Sequence, residues 1–339
     1  MIKNITLIFF ALLTIYLFYL FIKTDNGREA FLKLRSKKRV VAAFLVICIY
    51  FLVGFLDQIS FQIDNKNKTI IDLIFRGVPQ ERTYSAPFAN RVTGIIPGTE
   101  NEERNLVKGT HILGTDINGY DVFYSVIKGS GTALILSFGT GLISFPIGIL
   151  LGILAGYFGG WVDDLIQWLY TTISSIPWLL FVIAFLMVFG RGIFWICMAI
   201  GLTSWVELAR LVRGETMKLK NLDYITAARA QGIPVARILY RHILPNLNYL
   251  IIITFTLSAS SVILAESVLT FIGIGVEPGT SSWGVMLVEA QKELTRSPII
   301  WWVFVGSSFI GILPLVLSLN IFGDALRDAL DPRVKGKDV

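Results

Sequence analysis

Residues able to do chemistry are few in this chain and widely spaced. Its 339 residues hold two histidines, His111 and His242, and two cysteines, Cys48 and Cys197. A catalytic or structural metal site needs several ligands that converge, and a nucleophile needs an adjacent base. His111 has no carboxylate–histidine cluster around it in the sequence, and His242, beside Arg241, reads as a solvated or packed loop residue. Both cysteines lie in apolar runs, so no disulfide framework is implied. No His-Glu-x-x-His, Gly-x-Ser-x-Gly or paired intramembrane aspartates occur, which leaves an intramembrane enzyme a distant alternative. No catalytic or metal residue is therefore assigned. A Gly-x-x-x-x-Gly-Lys-Ser/Thr phosphate loop is also missing, so the chain does not bind ATP by that device. The group that stands out is Glu266, a carboxylate inside an apolar run, where insertion costs about 2.5–3.5 kcal/mol. It reads either as lining a translocation path or as a hydrogen-bonded helix contact, and both readings are open. Glu207, at the end of a shorter run, reads as interfacial, and Asp163 with Asp164 as a solvated acidic turn.

The elements that would position these groups are membrane helices. Charged residues make up only 16% of the chain, hydrophobic residues 54%, and the mean hydropathy is +0.67. Uncharged or nearly uncharged runs cover residues 5–22, 40–56, 131–158, 165–190, 193–206, 246–265 and 297–323. A helix crosses the hydrocarbon core with about 20 residues, and exposed backbone in lipid leaves helices as the economical choice. The alternation of an outer-membrane barrel is absent. An all-α polytopic membrane protein with about seven spans follows. After residue 22 comes Lys-Thr-Asp-Asn-Gly-Arg, which is no small-residue cleavage site, so the first run reads as a retained helix. Positive charge sets the orientation. Seven basic residues lie in 23–39, seven in 210–241 and four after residue 323, all separated by even numbers of spans. These segments are expected in the cytoplasm, with the amino terminus outside and the carboxyl terminus inside. The net charge of +6 is too modest and dispersed for nucleic acid. Domain boundaries follow: an extra helix and basic linker at 1–39, a span and extracytoplasmic segment at 40–130, a transmembrane domain at 131–323 and a tail at 324–339.

The densest local signal lies in the loop at 221–245. Asn221 is a candidate N-cap, an Ala-rich stretch favours helix, and Gly232 suits the residue after its last turn. Pro234 would open a second helix, and Pro245 marks the entry to the next span. On the first helix Tyr224, Ile225 and Ala228 share a side that Gly232 continues. The small side chains of Ala227, Ala228 and Gly232 would let another surface approach, while Arg229 falls on the opposite, solvated face.

Ala227-Ala228, three residues, Gly232 and then Leu244-Pro245 resemble the signature loop of permease subunits of ATP-binding-cassette importers, with Thr226 where the pattern has glutamate. The wording from Tyr224 to Gly232, and Arg241 to Asn246, is similar to the dipeptide, oligopeptide and nickel subgroup. His111 to Asp121, Gly156 to Asp163, Ser282-Trp283-Gly284, and Gly323 to Pro332 agree with it, in order. The resemblance runs from about His111 to Arg333, and the helix at 5–22 is extra to the subgroup's six spans. It implies a type I importer permease fold with a cytoplasmic coupling loop carried by Tyr224, Ile225, Thr226, Ala227, Ala228, Gly232, Leu244 and Pro245. It implies a non-enzymatic transport subunit of the cell (inner) membrane, embedded in lipid and forming half of a path for peptides, or else for nickel or another small solute. The implied partners are a second homologous permease, two cytoplasmic ATPases that bind ATP and Mg, and an extracytoplasmic substrate-binding protein. No cofactor belongs to the chain itself. A self-sufficient secondary transporter would show inverted repeats, and none is visible.

Overall fold

The computed structural model describes residues 25–63, 66–93, 106–277, 279–295 and 299–330. Helix α1 (Asp25–Ser36) leads into α2 (Lys38–Gln58). A hairpin of β1 (Ser60–Ile63) and β2 (Lys66–Thr69), paired antiparallel with Ser60 opposite Thr69, then precedes the short α3 (Ile70–Ile74). The long α4 (Val122–Phe158) follows, then α5 (Gly160–Ser174), α6 (Trp178–Phe189) and α7 (Ile193–Leu219). The loop helix α8 (Asp223–Ala230) leads to α9 (Val235–Phe271), α10 (Trp283–Glu293) and α11 (Trp302–Leu330). Five of these, α2, α4, α7, α9 and α11, are long and apolar enough to cross a membrane, and α5 with α6, bent by 80° at their break, makes a sixth if the pair counts as one span. Six of the seven expected runs fall on these helices, while the run at 5–22 lies outside the described residues. The hairpin is a small departure from an all-helical chain.

The boundaries differ from the sequence reading for identifiable reasons. Helix α4 starts at Val122, ahead of the uncharged run, because Asp121 caps it by accepting from the Tyr124 N–H at 2.9 Å. Lys128, inside that helix, does not end it: its ammonium meets Asp72 at 2.7 Å and Asp57 at 3.4 Å. Helix α7 runs through Glu207 to Leu219, so the helix does not end at this carboxylate. The run at 165–190 breaks at Pro177, which lacks an N–H and pushes the residue before it out of the helical region. The expected second loop helix is the first turn of α9 itself, joined to the span through a π-helical turn at Leu239–Ile243 just before Pro245.

The α4–α7 pair is the most extensive helix contact. Gly148, Gly152 and Gly156 form its seam. A Cβ at these positions would stand 2.9 Å from the Trp205 carbonyl oxygen, 2.7 Å from that of Ala209 and 2.6 Å from that of Arg213. Glycines four apart let two backbones touch, the small-xxx-small arrangement of membrane helices. At the end of α4 away from the loop, Trp283 is wedged between α4 and α11, 2% exposed, and its indole N–H donates to the Val126 carbonyl at 2.9 Å. In α11 the π-helical turn Gly306–Ile312 precedes Pro314, whose missing N–H leaves the Ile310 carbonyl free, and the Tyr50 hydroxyl of α2 donates to it.

Candidate functional site

Helix α8 has only eight residues, and tertiary contacts hold it. Leu222, and not Asn221, is its N-cap; the Asn221 amide instead donates to the Met217 carbonyl at 3.1 Å. The other end closes as a Schellman motif. The Gly232 N–H donates to Arg229 O at 2.9 Å, the Ile233 N–H to Ala228 O at 3.2 Å, and Gly232 has φ +74°. Gly232 thus fills the role expected of it.

The orientation of α8 corrects the sequence reading of its faces. Ile225 is 0% and Ala228 6% exposed, and both pack into this chain's own cluster of Tyr157, Leu208, Val212, Ile238, Ile243 and Leu247. The small-residue side is therefore partly an internal seam. Tyr224, Thr226, Ala227 and Gly232 remain exposed, as does Pro245, while Leu244 packs at the cluster edge. Tyr224 also reaches α9 just past its π-helical turn, where Asn246 Nδ2 donates to its hydroxyl at 3.3 Å. Arg229 is exposed yet not idle: its guanidinium lies 4.8 Å from the Tyr157 ring centre and its Nε donates to the Tyr157 hydroxyl at 3.2 Å. Tyr157, the last turn of α4, is the residue that sequence reasoning missed. It stands in the Gly156–Asp163 block, but nothing local says that the loop helix lands on it. In the same block Asp163 is 9% exposed and holds Arg213 of α7 through two hydrogen bonds of 2.5 and 2.6 Å, so it is not a solvated turn. Loop helix, α4, α5 and α7 are thereby tied into one body at this end.

Beside that body runs a groove of about 1340 Å³ between α4, the α5–α6 break, α7, α9 and the end of α11. Hydroxyl-bearing residues of three helices are among those that line it: Ser137, Thr140 and Ser144 of α4, all buried; Thr203 and Ser204 of α7; and Thr254, Ser258 and Ser261 of α9. Glu207 and Arg210 line it too, and so does Pro177, at the one proline of Pro146, Pro177 and Pro314 where a span breaks sharply. Glu266 does not line it. That carboxylate is 4% exposed, accepts from Thr270 Oγ1 at 2.8 Å, and lies 3.1 Å from where a Gly284 Cβ would stand. Its place is the contact between α9 and α10.

At the end far from α8, the fold surrounds His111 with carboxylates that the sequence kept apart. Its Nδ1 lies 2.8 Å from Asp121 Oδ2 and its Nε2 3.3 Å from Glu81 Oε1, with the histidine 2% exposed. Glu81 also accepts the N–H groups of Lys108 and Gly109 at 2.7 and 3.1 Å. The arrangement ties the segment before α4 together, and no group of three or more side chains suited to a metal occurs among the described residues.

Comparison with known proteins accounts for this architecture. Residues 148–336 match the model of the family described as binding-protein-dependent transport system inner membrane component. The chain is 37% identical over 227 residues to the oligopeptide transport system permease protein OppC of Haemophilus influenzae, covering 67% of this chain and 72% of that protein. It is 35% identical over 235 residues to the dipeptide transport system permease protein DppC of Bacillus subtilis (69% and 72%). Against the di/tripeptide transport system permease protein DppC of Pseudomonas aeruginosa it is 38% identical over 224 residues (66% and 73%). The matched region holds the loop helix, its landing site on α7 and most of the groove, and the chain belongs to the family of binding-protein-dependent transport system inner membrane components.

Proposed function

We propose that this chain is one permease subunit of a peptide importer and forms half of the translocation path. The observation that carries the reading is the continuity from α8 to the groove. A helix with an exposed face is locked by Ile225, Ala228 and Arg229 onto α4 and α7, and these same helices line the groove. The relatives named above transport peptides, which supports peptides over nickel as cargo. Serine and threonine hydroxyls suit a cargo whose recurring feature is its backbone amides, since they donate and accept irrespective of side chain.

A second permease would complete the path, and two ATPases would supply the drive. The exposed Tyr224, Thr226, Ala227 and Gly232 would meet an ATPase, and the buried Ile225 and Ala228 would pass its movement to α4 and α7. An extracytoplasmic binding protein would deliver the peptide. The chain would lie in the inner membrane with its basic segments in the cytoplasm. Cysteines placed at positions 3, 99 and 337 should then label from outside at 3 and 99 only. The deciding experiment is to co-purify the chain with a second permease, two ATPases and a binding protein of the same genome, and to reconstitute them in vesicles. Trialanine uptake that requires ATP and the binding protein is the expected result. Uptake of nickel with none of peptide would overturn the reading.

A further inference from the structure

Glu207 is a charge on a span-length helix that the reading so far leaves without work. It lies in the middle of α7, exposed to the groove, and has neither an ion pair nor a hydrogen-bond partner among the described residues. A carboxylate inside a span is costly, so it persists where water, protein or cargo compensates it. The nearest cation in sequence on that face, Arg210, lines the groove too, as does Arg327 of α11, but the Arg210 guanidinium is engaged by other groups. Its NH2 group donates to Ser174 Oγ at 2.9 Å and its guanidinium stacks 4.8 Å from the Tyr170 ring centre. Further along α7, Lys218 and Glu215 neutralise each other at 2.6 Å. One and two turns before Glu207, α7 offers the groove only Thr203, Ser204 and Ile200. Moving along α7 toward the loop, the first charge met in the groove is therefore this bare carboxylate.

We infer that Glu207 is a cation subsite of the path, which receives the ammonium group of a peptide in transit. This rests on the peptide reading given above. An ammonium entering this largely apolar groove loses part of its hydration, and one carboxylate of opposite sign recovers it without fixing side-chain identity. Being single and open to the groove, the contact is weak enough to release, as a transit site requires.

The test uses the complete reconstituted importer with trialanine as probe, and E207Q, E207D and wild type side by side. E207Q should lower the trialanine uptake rate by about fivefold, the equivalent of about 1 kcal/mol. Hydrolysis of ATP stimulated by loaded binding protein should stay within about twofold of wild type, because α8 and its landing site are untouched. E207D should recover most of the uptake. Normal uptake by E207Q, no recovery in E207D, or a parallel fall of hydrolysis and uptake would each overturn the assignment. Loss of the second permease from purified E207Q would also overturn it, placing Glu207 in a subunit interface. Failure of wild type to take up trialanine would instead strike the peptide reading itself.

Discussion

Ile225→Ala should release the loop helix without unfolding the spans. Ile225 is fully buried, among Tyr157, Leu208, Val212, Ile238, Ile243 and Leu247. Truncating such an isoleucine costs about 2–5 kcal/mol, the lower half applying where the site can collapse, as at the end of a bundle. An eight-residue helix has almost no stability of its own, so that loss falls on the docking of α8. At about 3 kcal/mol the undocked population would rise by roughly 150-fold. Hydrogen exchange read by mass spectrometry over residues 222–233 reports it, with the amides of α4 and α7 as internal controls. Fast exchange confined to the loop, with uptake lost while the ATPases still hydrolyse ATP, is the expected pattern. Unchanged exchange in the loop would refute the packing argument. Faster exchange with full uptake would refute the claim that a docked α8 couples the ATPases to the path.

Arg229→Ala, which a solvated reading of that side chain would make silent, should cost about 0.5–1 kcal/mol of docking through its stacking and hydrogen bond on Tyr157. A double-mutant cycle with Tyr157→Leu checks this by non-additivity in loop exchange. Gly152→Val should remove the protein from the membrane, because its Cβ would lie 2.7 Å from both the Ala209 carbonyl oxygen and the Val212 Cβ, with backbone on one side and no room to yield; membrane abundance measures it. Glu289, on α10 outside the spans, is pushed up to about 7, first by burial and then by the charge of Asp116. A carboxyl raised in the folded state binds more protons there than when unfolded, so its contribution is full below about pH 4.5 and is lost as pH rises through about 7. Melting curves should show wild type losing stability across that window and Glu289→Gln losing less.

The spans were legible because hydrophobicity accumulates over 20 residues and tolerates local error, whereas a boundary depends on a single side chain. Lys128 and Glu207 mark false boundaries for opposite reasons. The first is neutralised by Asp72 and Asp57, 56 and 71 positions away, and the second faces a groove that no sequence window reveals. Periodicity grouped Ile225 and Ala228 on one face correctly, yet could not say which neighbour that face meets. That depends on where Tyr157 ends, and α4 is separated from α8 by three helices. The carboxylates around His111 were hidden for the same reason, since Glu81 comes from a segment 30 residues earlier. The glycine seam at 148, 152 and 156 could have been read, being a period of four in an apolar run.

The fold distributes stiffness unevenly, and the distribution matches where force would travel. Along α4 and α7 the glycine seam, the Asp163–Arg213 pair and the Arg229–Tyr157 contact leave little freedom, so these helices and α8 are packed as one body. Helix α9 receives the same loop through a different joint. Between α8 and the groove-lining part of α9 lies the π-helical turn Leu239–Ile243, followed by Pro245, which cannot donate to the carbonyl one turn back. Two other groove-side or span-side breaks share this chemistry: Pro177 at the bend of α5 and α6, and Pro314 after the π turn of α11. Each removes a backbone hydrogen bond in a helix that packs outside the α4–α7 pair. A displacement entering at α8 would therefore carry α4 and α7 bodily and bend α9 at residues 239–245. The groove-lining residues of α4 and α7 would shift against those of α9, and a groove lined by all three would change shape.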